Sequence, residues 1–193
     1  MQRVCVFCGS SLGKRPDYTA AAQRLGTLLA ERGLGLVYGG GRVGLMGIVA
    51  DAVLAGGGTV TGVIPSFLLT KEIDHRGVTD LRVVNTMHER KALMADLADG
   101  FIALPGGFGT LDEFCEIITW AQLGLHRKPC GLLDAAGYYE AFLSFLDRAT
   151  GDGFVLPQFR SLVLSDDDPA RLLARLEAYQ PPDVARWLQR DQR

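Results

Sequence analysis

The chain has 193 residues, 48% of them apolar and 22% charged, which suits one ordinary α/β domain and excludes a disordered tail or a polyelectrolyte binder. Its 20 Lys and Arg stand against 22 Asp and Glu, a net charge of −2, so no overall field draws it to nucleic acid or anionic lipid. The one compositional excess is glycine, 24 residues against about 7% in average proteins, and the positions of those glycines carry the functional reading.

In chain order, Met1-Gln2-Arg3 leads directly into the apolar run Val4-Cys5-Val6-Phe7-Cys8, without the features of a secretory signal. No stretch approaches the ~20 apolar residues of a membrane helix. The expectation is a cytoplasmic protein with no membrane contact.

Short β-rich runs then alternate with helix-period segments to the end of the chain. Strands are predicted near 3–8, 34–38, 59–64, 81–85, 100–104, 129–133 and 161–164. The first helix shows one apolar face in Tyr18, Ala21, Ala22, Leu25, Leu28 and Leu29, and Gly33 is placed to end it in the left-handed conformation. Further helices are predicted near 43–55, 86–98, 110–123, 138–150 and 168–178. The fold class is therefore α/β: a Rossmann-like three-layer fold with a mainly parallel sheet of about seven strands. Residues 1–180 form one nucleotide-monophosphate-binding domain in this reading. Gln180-Pro181-Pro182-Asp183 marks a boundary, with 181–193 as a C-terminal appendage bearing Trp187 and Leu188.

Ligands of an open parallel sheet collect beyond the carboxyl ends of its strands, where backbone N–H groups point outward at helix starts. Three junctions there are rich in small residues. They are Cys8-Gly9-Ser10-Ser11, the stretch from Tyr38-Gly39-Gly40-Gly41 to Gly44-Leu45-Met46-Gly47, and Pro105-Gly106-Gly107-Phe108-Gly109-Thr110. Gly39-x-Gly41-x-x-Gly44 matches the dinucleotide fingerprint, yet Thr59-Val60-Thr61-Gly62-Val63-Ile64-Pro65 ends without the carboxylate that would hold a ribose hydroxyl. A cradle for one phosphate, or glycines serving only turns and close packing, are the other readings of that loop. The 105–110 loop suits an oxyanion but lacks the Lys of a Walker loop. Thr110-x-x-Glu113 also reads as a capping box, in which the carboxylate merely returns to the cap N–H. Against that, Asp112 and Glu113 would crowd a bound phosphate without cations, and Arg90 and Lys91 emerge at the same sheet edge. Thr86 and Glu89 have cap spacing of their own.

Cys5 and Cys8 have the spacing of a redox or zinc pair, but no second pair follows, so they read as core filler. Cys115 and Cys130 are solitary, and His75, His88 and His126 show no ligand spacing, so no metal is assigned.

Met87-His88-Glu89-Arg90-Lys91-Ala92 followed by Pro105-Gly106-Gly107-Phe108-Gly109-Thr110-Leu111-Asp112-Glu113 resembles the LONELY GUY (LOG) phosphoribohydrolases. Cys8-Gly9-Ser10-Ser11, the loop at 38–47, Lys71-Glu72, and Ile118-Thr119-Trp120-Ala121-Gln122-Leu123-Gly124 extend the likeness over 3–155. The resemblance implies hydrolysis of the N-glycosidic bond of cytokinin riboside 5′-monophosphates to free base and ribose 5-phosphate, with AMP accepted by related members. It implies Arg90 and Glu113 as the catalytic pair. Glu72, Lys91, Gly107, Phe108, Gly109, Thr110, Leu111, Asp112 and Thr119 would line the substrate site, and Gly9, Ser10, Gly40, Gly41, Met46 and Gly106 would add phosphate or ribose contacts. It implies no cofactor and a homodimer with sites near the subunit interface. Phe108 stands where the family more often has Tyr, and Asp112 where it has Glu. The label lysine decarboxylase carried by such proteins would need a Schiff-base lysine. Of Lys14, Lys71, Lys91 and Lys128, only Lys91 lies in a motif, with a substrate-binding role. A nonenzymatic alternative is a carrier of nucleotide or molybdopterin-type cofactor on similar glycine loops.

Overall fold

Alternation along the first strand sets the layering. In a computed structural model that describes residues 1–69 and 77–182, Val4 and Val6 of β1 (Arg3–Phe7) point into one apolar cluster, and Cys5 and Phe7 into another. A strand buried on both faces in this way needs helices on both sides. Cys5 and Cys8, three residues apart, fall into opposite clusters, so they form no pair and serve the core as expected.

Six more strands complete the sheet: β2 (Gly35–Tyr38), β3 (Val60–Pro65), β4 (Asp80–Val84), β5 (Gly100–Ala103), β6 (Cys130–Leu133) and β7 (Val163–Asp166). Their order is β4-β3-β2-β1-β5-β6-β7, every neighbouring pair is parallel, and each predicted strand is present within two residues of its expected ends. The architecture is the three-layer, Rossmann-like one. Helices α1 (Pro16–Glu31) and α2 (Gly44–Ala55) supply one apolar cluster; α3 (Met87–Leu97), α4 (Phe108–Gln122) and α5 (Glu140–Gly151) supply the other. The short α6 (Pro157–Arg160) was not anticipated, and α7 (Pro169–Glu177) returns to the first cluster.

Helix ends follow their local chemistry. Gly33 takes φ +65°, and the Leu34 N–H reaches back to the Leu29 carbonyl at 2.8 Å, closing α1 in the left-handed turn its sequence predicts. Thr86 caps α3 by accepting from the Glu89 N–H at 3.1 Å, while Glu89 accepts from the Asn85 N–H at 2.8 Å. The predicted appendage lies outside the described residues from 183 onward, as do Lys71, Glu72 and His75.

Candidate active site

β1 and β5 are neighbours, yet the helices that follow them pack on opposite faces, so the chain diverges above this pair and leaves a crevice at its carboxyl edge. The loops there are clamped together by backbone. The Gly9 N–H donates to the Pro105 carbonyl at 3.0 Å, and the Gly9 carbonyl accepts from the Leu45 N–H at 3.0 Å. Gly9 is thus a bracket between three loops, with both of its backbone groups engaged. A side chain at Gly106 would overlap Thr110, and one at Gly44 would overlap Ser10 and Ser11. Here small residues permit close approach of backbone to backbone.

The start of α4 corrects one sequence reading. The N-cap is Gly107, the helix begins at Phe108, and the Leu111 N–H makes the first helical bond, to the Gly107 carbonyl at 3.1 Å. Thr110 is therefore a buried residue inside the first turn and not a cap, and Glu113 lies too far along the helix to return to the cap. The capping-box reading fails because glycine at 107 and 109 lets the helix begin earlier than Thr110 alone suggests. No side chain caps this end and no acid occupies its first turn. Its leading N–H groups and the positive end of the helix dipole are presented to the crevice.

Arg90 reaches the crevice because α3 is the crossover from the edge strand β4 to the central β5 and must pass beneath β3 and β2. Only 6% exposed, its guanidinium donates through Nε to the Val63 carbonyl at 3.0 Å and through Nη2 to the Gly39 carbonyl at 2.7 Å. A Cβ at Gly39 would overlap Nη2 and lie 3.1 Å from Cζ. The second glycine loop is thus a socket for this guanidinium. Gly40, with φ +77°, packs on Ile64 and Val63; Gly40 and Gly41 are buried and do not line the cleft. Tight packing, one of the three readings of this loop, is what the geometry displays.

A cleft of about 230 Å³ is lined by Arg90 and Glu113 together with Cys8, Gly9, Ser10, Met46, Gly107, Phe108, Gly109 and Thr110. The acid of the third loop and the cation of the preceding unit therefore meet at one cavity. Both charges bear on Cys8 in the same cleft: burial pushes its thiol well up, the Glu113 carboxylate adds to that, and Arg90 opposes it. A thiol held so firmly protonated is no nucleophile. Sequence reasoning had placed Cys8 in the core alone; its position immediately before Gly9, at the end of β1, was the available signal that it also faces the cleft.

Other predicted site residues stand elsewhere. Lys91 Nζ pairs with Glu116 at 2.9 Å and Asp112 at 3.2 Å, tying α3 to α4 outside the cleft. Burial draws its pKa down, but the hydrogen bonds it donates to Glu116 and Asp112 outweigh this and leave it raised. The cations are thus divided, Lys91 to Asp112 and Glu116, Arg90 to the cleft shared with Glu113. Leu111 packs against the core, and the exposed Thr119 donates to the Cys115 carbonyl at 2.8 Å. Phe108 is 94% exposed on the lip. Gly106 borders an adjoining cavity instead of this one, and Glu72 lies outside the described residues. Among the described residues no group of His, Cys, Asp and Glu has the arrangement of a metal site, and no helix is long and apolar enough to cross a membrane.

Residues 46–176 match the protein-family model described as "Possible lysine decarboxylase". Among curated proteins, the chain is 53% identical over 180 residues to a cytokinin riboside 5′-monophosphate phosphoribohydrolase of Arabidopsis thaliana, covering 93% of this chain and 83% of the relative. It is 52% identical over 180 residues to the enzyme of that name from Oryza sativa subsp. japonica, covering 93% and 74%. Among solved structures, the molybdenum cofactor carrier protein of Chlamydomonas reinhardtii superposes with a TM-score of 0.70 at 22% identity, covering 92% of this chain and 99% of the other. The molybdenum cofactor binding protein of Rippkaea orientalis gives 0.69 at 22%, covering 92% and 96%. At that identity the two structures establish the shared fold only. The decarboxylase description finds no support in the cleft, where no lysine is among the described lining residues; Lys128, for its part, is held by the Ala95 carbonyl at 2.8 Å.

Proposed function

The chain belongs to the LOG family of cytokinin riboside 5′-monophosphate phosphoribohydrolases, and from that premise we propose that it hydrolyses the N-glycosidic bond of such nucleotides, AMP included. The observation that carries the reading is the meeting of Arg90 and Glu113 at one cleft beside the uncapped first turn of α4. Cleaving a ribosyl C–N bond builds positive charge on the sugar and negative charge on the departing base. Glu113 stabilises the cationic ribose and orients or deprotonates the attacking water. Arg90, fixed by two carbonyls, supplies the charge that positions Glu113 and the ribose. The N–H groups of Phe108, Gly109 and Thr110 hold the 5′-phosphate. Lys91 lies outside the cleft and acts only through the acids it holds on α4.

In this reading residues 1–180 act as one nucleotide-monophosphate-binding unit in the cytoplasm. The chain works as a homodimer, for which the exposed Leu123 and Leu125 after α4 offer apolar contact. Base release from AMP and from an N6-isopentenyl riboside 5′-monophosphate, with the free nucleosides as controls, tests the function. Both monophosphates are expected to turn over and both nucleosides to be inert. Glu113→Gln is expected to lower turnover at least ~10³-fold while still binding nucleotide; full turnover by that variant removes Glu113 from the chemistry. Sedimentation at working concentration reads the dimer.

A further inference from the structure

A second cavity of about 330 Å³ adjoins the catalytic cleft and shares Gly9, Ser10 and Gly107 with it. Arg90 and Glu113 line only the first. Among the described residues no ionisable acid or base other than tyrosine lines the second; its walls are Leu12, Leu45 and the rings of Tyr18 and Tyr138, which meet edge to face at 5.5 Å. The Tyr138 hydroxyl is already donated to the Gly106 carbonyl at 2.5 Å, so Tyr138 offers the cavity its ring and not a free phenol.

Resting on the reading above, we propose that this cavity is a subsite for a flat apolar group esterified to the 5′-phosphate, so that the enzyme also accepts riboside 5′-phosphodiesters. A phosphate at the first turn of α4 lies between the two cavities, because Gly107, the N-cap, borders both. C1′ must face Glu113, which turns C5′ and the base away from the second cavity and leaves the distal phosphate oxygens directed to it. An apolar wall penalises the second negative charge of a monoester there, whereas a diester presents an uncharged group. The bond broken is unchanged: water adds to C1′, the base leaves with a proton, and the phosphodiester is retained in the sugar product.

The test compares AMP with its 5′-phenyl phosphodiester, on the native chain and on Leu12→Trp, which fills the cavity from a position 47% exposed. Equilibrium binding is measured on the Glu113→Gln background, where substrate is not consumed, and base release on the active protein. The diester is expected to bind at least as tightly as AMP and to release adenine. Leu12→Trp is expected to weaken the diester ~10-fold or more, the scale of burying one ring, and AMP less than twofold. Tyr18→Ala, which removes a wall without a hydrogen bond to the loops, should do the same. A diester bound tenfold more weakly than AMP, or equal losses of both ligands in Leu12→Trp, overturns the subsite. Absence of AMP hydrolysis overturns the function instead, and leaves the binding comparison readable.

Discussion

Alanine at position 39 tests the socket reading most directly. Gly39 has no left-handed φ to defend, so the backbone itself tolerates the change. The added methyl instead overlaps Arg90 Nη2 and crowds Cζ at 3.1 Å and Met46 Sδ at 3.3 Å. Non-bonded contacts settle near ~3.5 Å, so the guanidinium must retreat by about 1 Å or more. That breaks the 2.7 Å bond to the Gly39 carbonyl, a hydrogen bond to a charged group, worth about 1.5–3 kcal/mol. In a chain of this length each kcal/mol is about 2–4 °C of melting temperature, so a fall of roughly 3–12 °C is expected. A catalytic group displaced by about 1 Å loses about 10²-fold in turnover. Base release from AMP and thermal unfolding are measured for Gly39→Ala, Arg90→Ala and the double variant. Because the methyl meets Arg90 before anything else, its stability cost should vanish to within ~0.5 kcal/mol in the Arg90→Ala background. A cost that persists there refutes the socket and makes Gly39 an ordinary packing residue; native turnover by Gly39→Ala refutes it from the other side.

His126 should confer a pH dependence on stability. Burial holds its imidazole below the usual 6.5, Lys128 adds to this, and the bond to the Ile117 carbonyl only partly offsets both. The unfolded chain takes up a proton as pH falls through about 6.5 while the folded one resists, so stability is full above 6.5 and declines below it toward the folded pKa. Urea midpoints between pH 7.5 and 5 should fall in the native chain and flatten in His126→Gln; a flat native profile counts against this account. Gly33→Ala meets no atom within 4 Å but must hold φ +65°, a strain of about 1 kcal/mol by denaturant melts, with Gly33→Asn recovering part of it. Gly106→Ala, forced onto Thr110 and within 2.9 Å of the Gly9 N–H, should cost ~2 kcal/mol or more and loosen nucleotide binding with it.

The layers were legible because periodicity is a direct record of burial: period 2 in Val4-Cys5-Val6-Phe7 and the apolar face from Tyr18 to Leu29 each name the surface they cover. The start of α4 was less legible. Thr110 and Glu113 have cap spacing, but the three N–H groups before them find their place only once Gly107 turns the chain, and glycine carries no periodic signal. Lys91 illustrates a second limit. Its sequence neighbour Arg90 enters the cleft while Lys91 faces Asp112 and Glu116, a division set by where α4 lies beside α3, which spacing along one helix does not encode.

The three glycine loops also divide their work in a way that composition conceals. Charge requires acceptors, and the buried guanidinium of Arg90 is met by the Val63 and Gly39 carbonyls. Carbonyls hold the cation in place without neutralising it, so its charge remains available to the cleft it shares with Glu113. The backbone can approach that closely only where no Cβ stands in between, which is why a glycine occupies position 39 although its φ would suit any residue. The third loop applies the same freedom to the opposite end, clearing side chains from a helix start so that its N–H groups face outward. Glycines thus serve this site twice, once to seat a cation from below and, in the proposed reading, once to receive an anion from above, and a dinucleotide need enter neither.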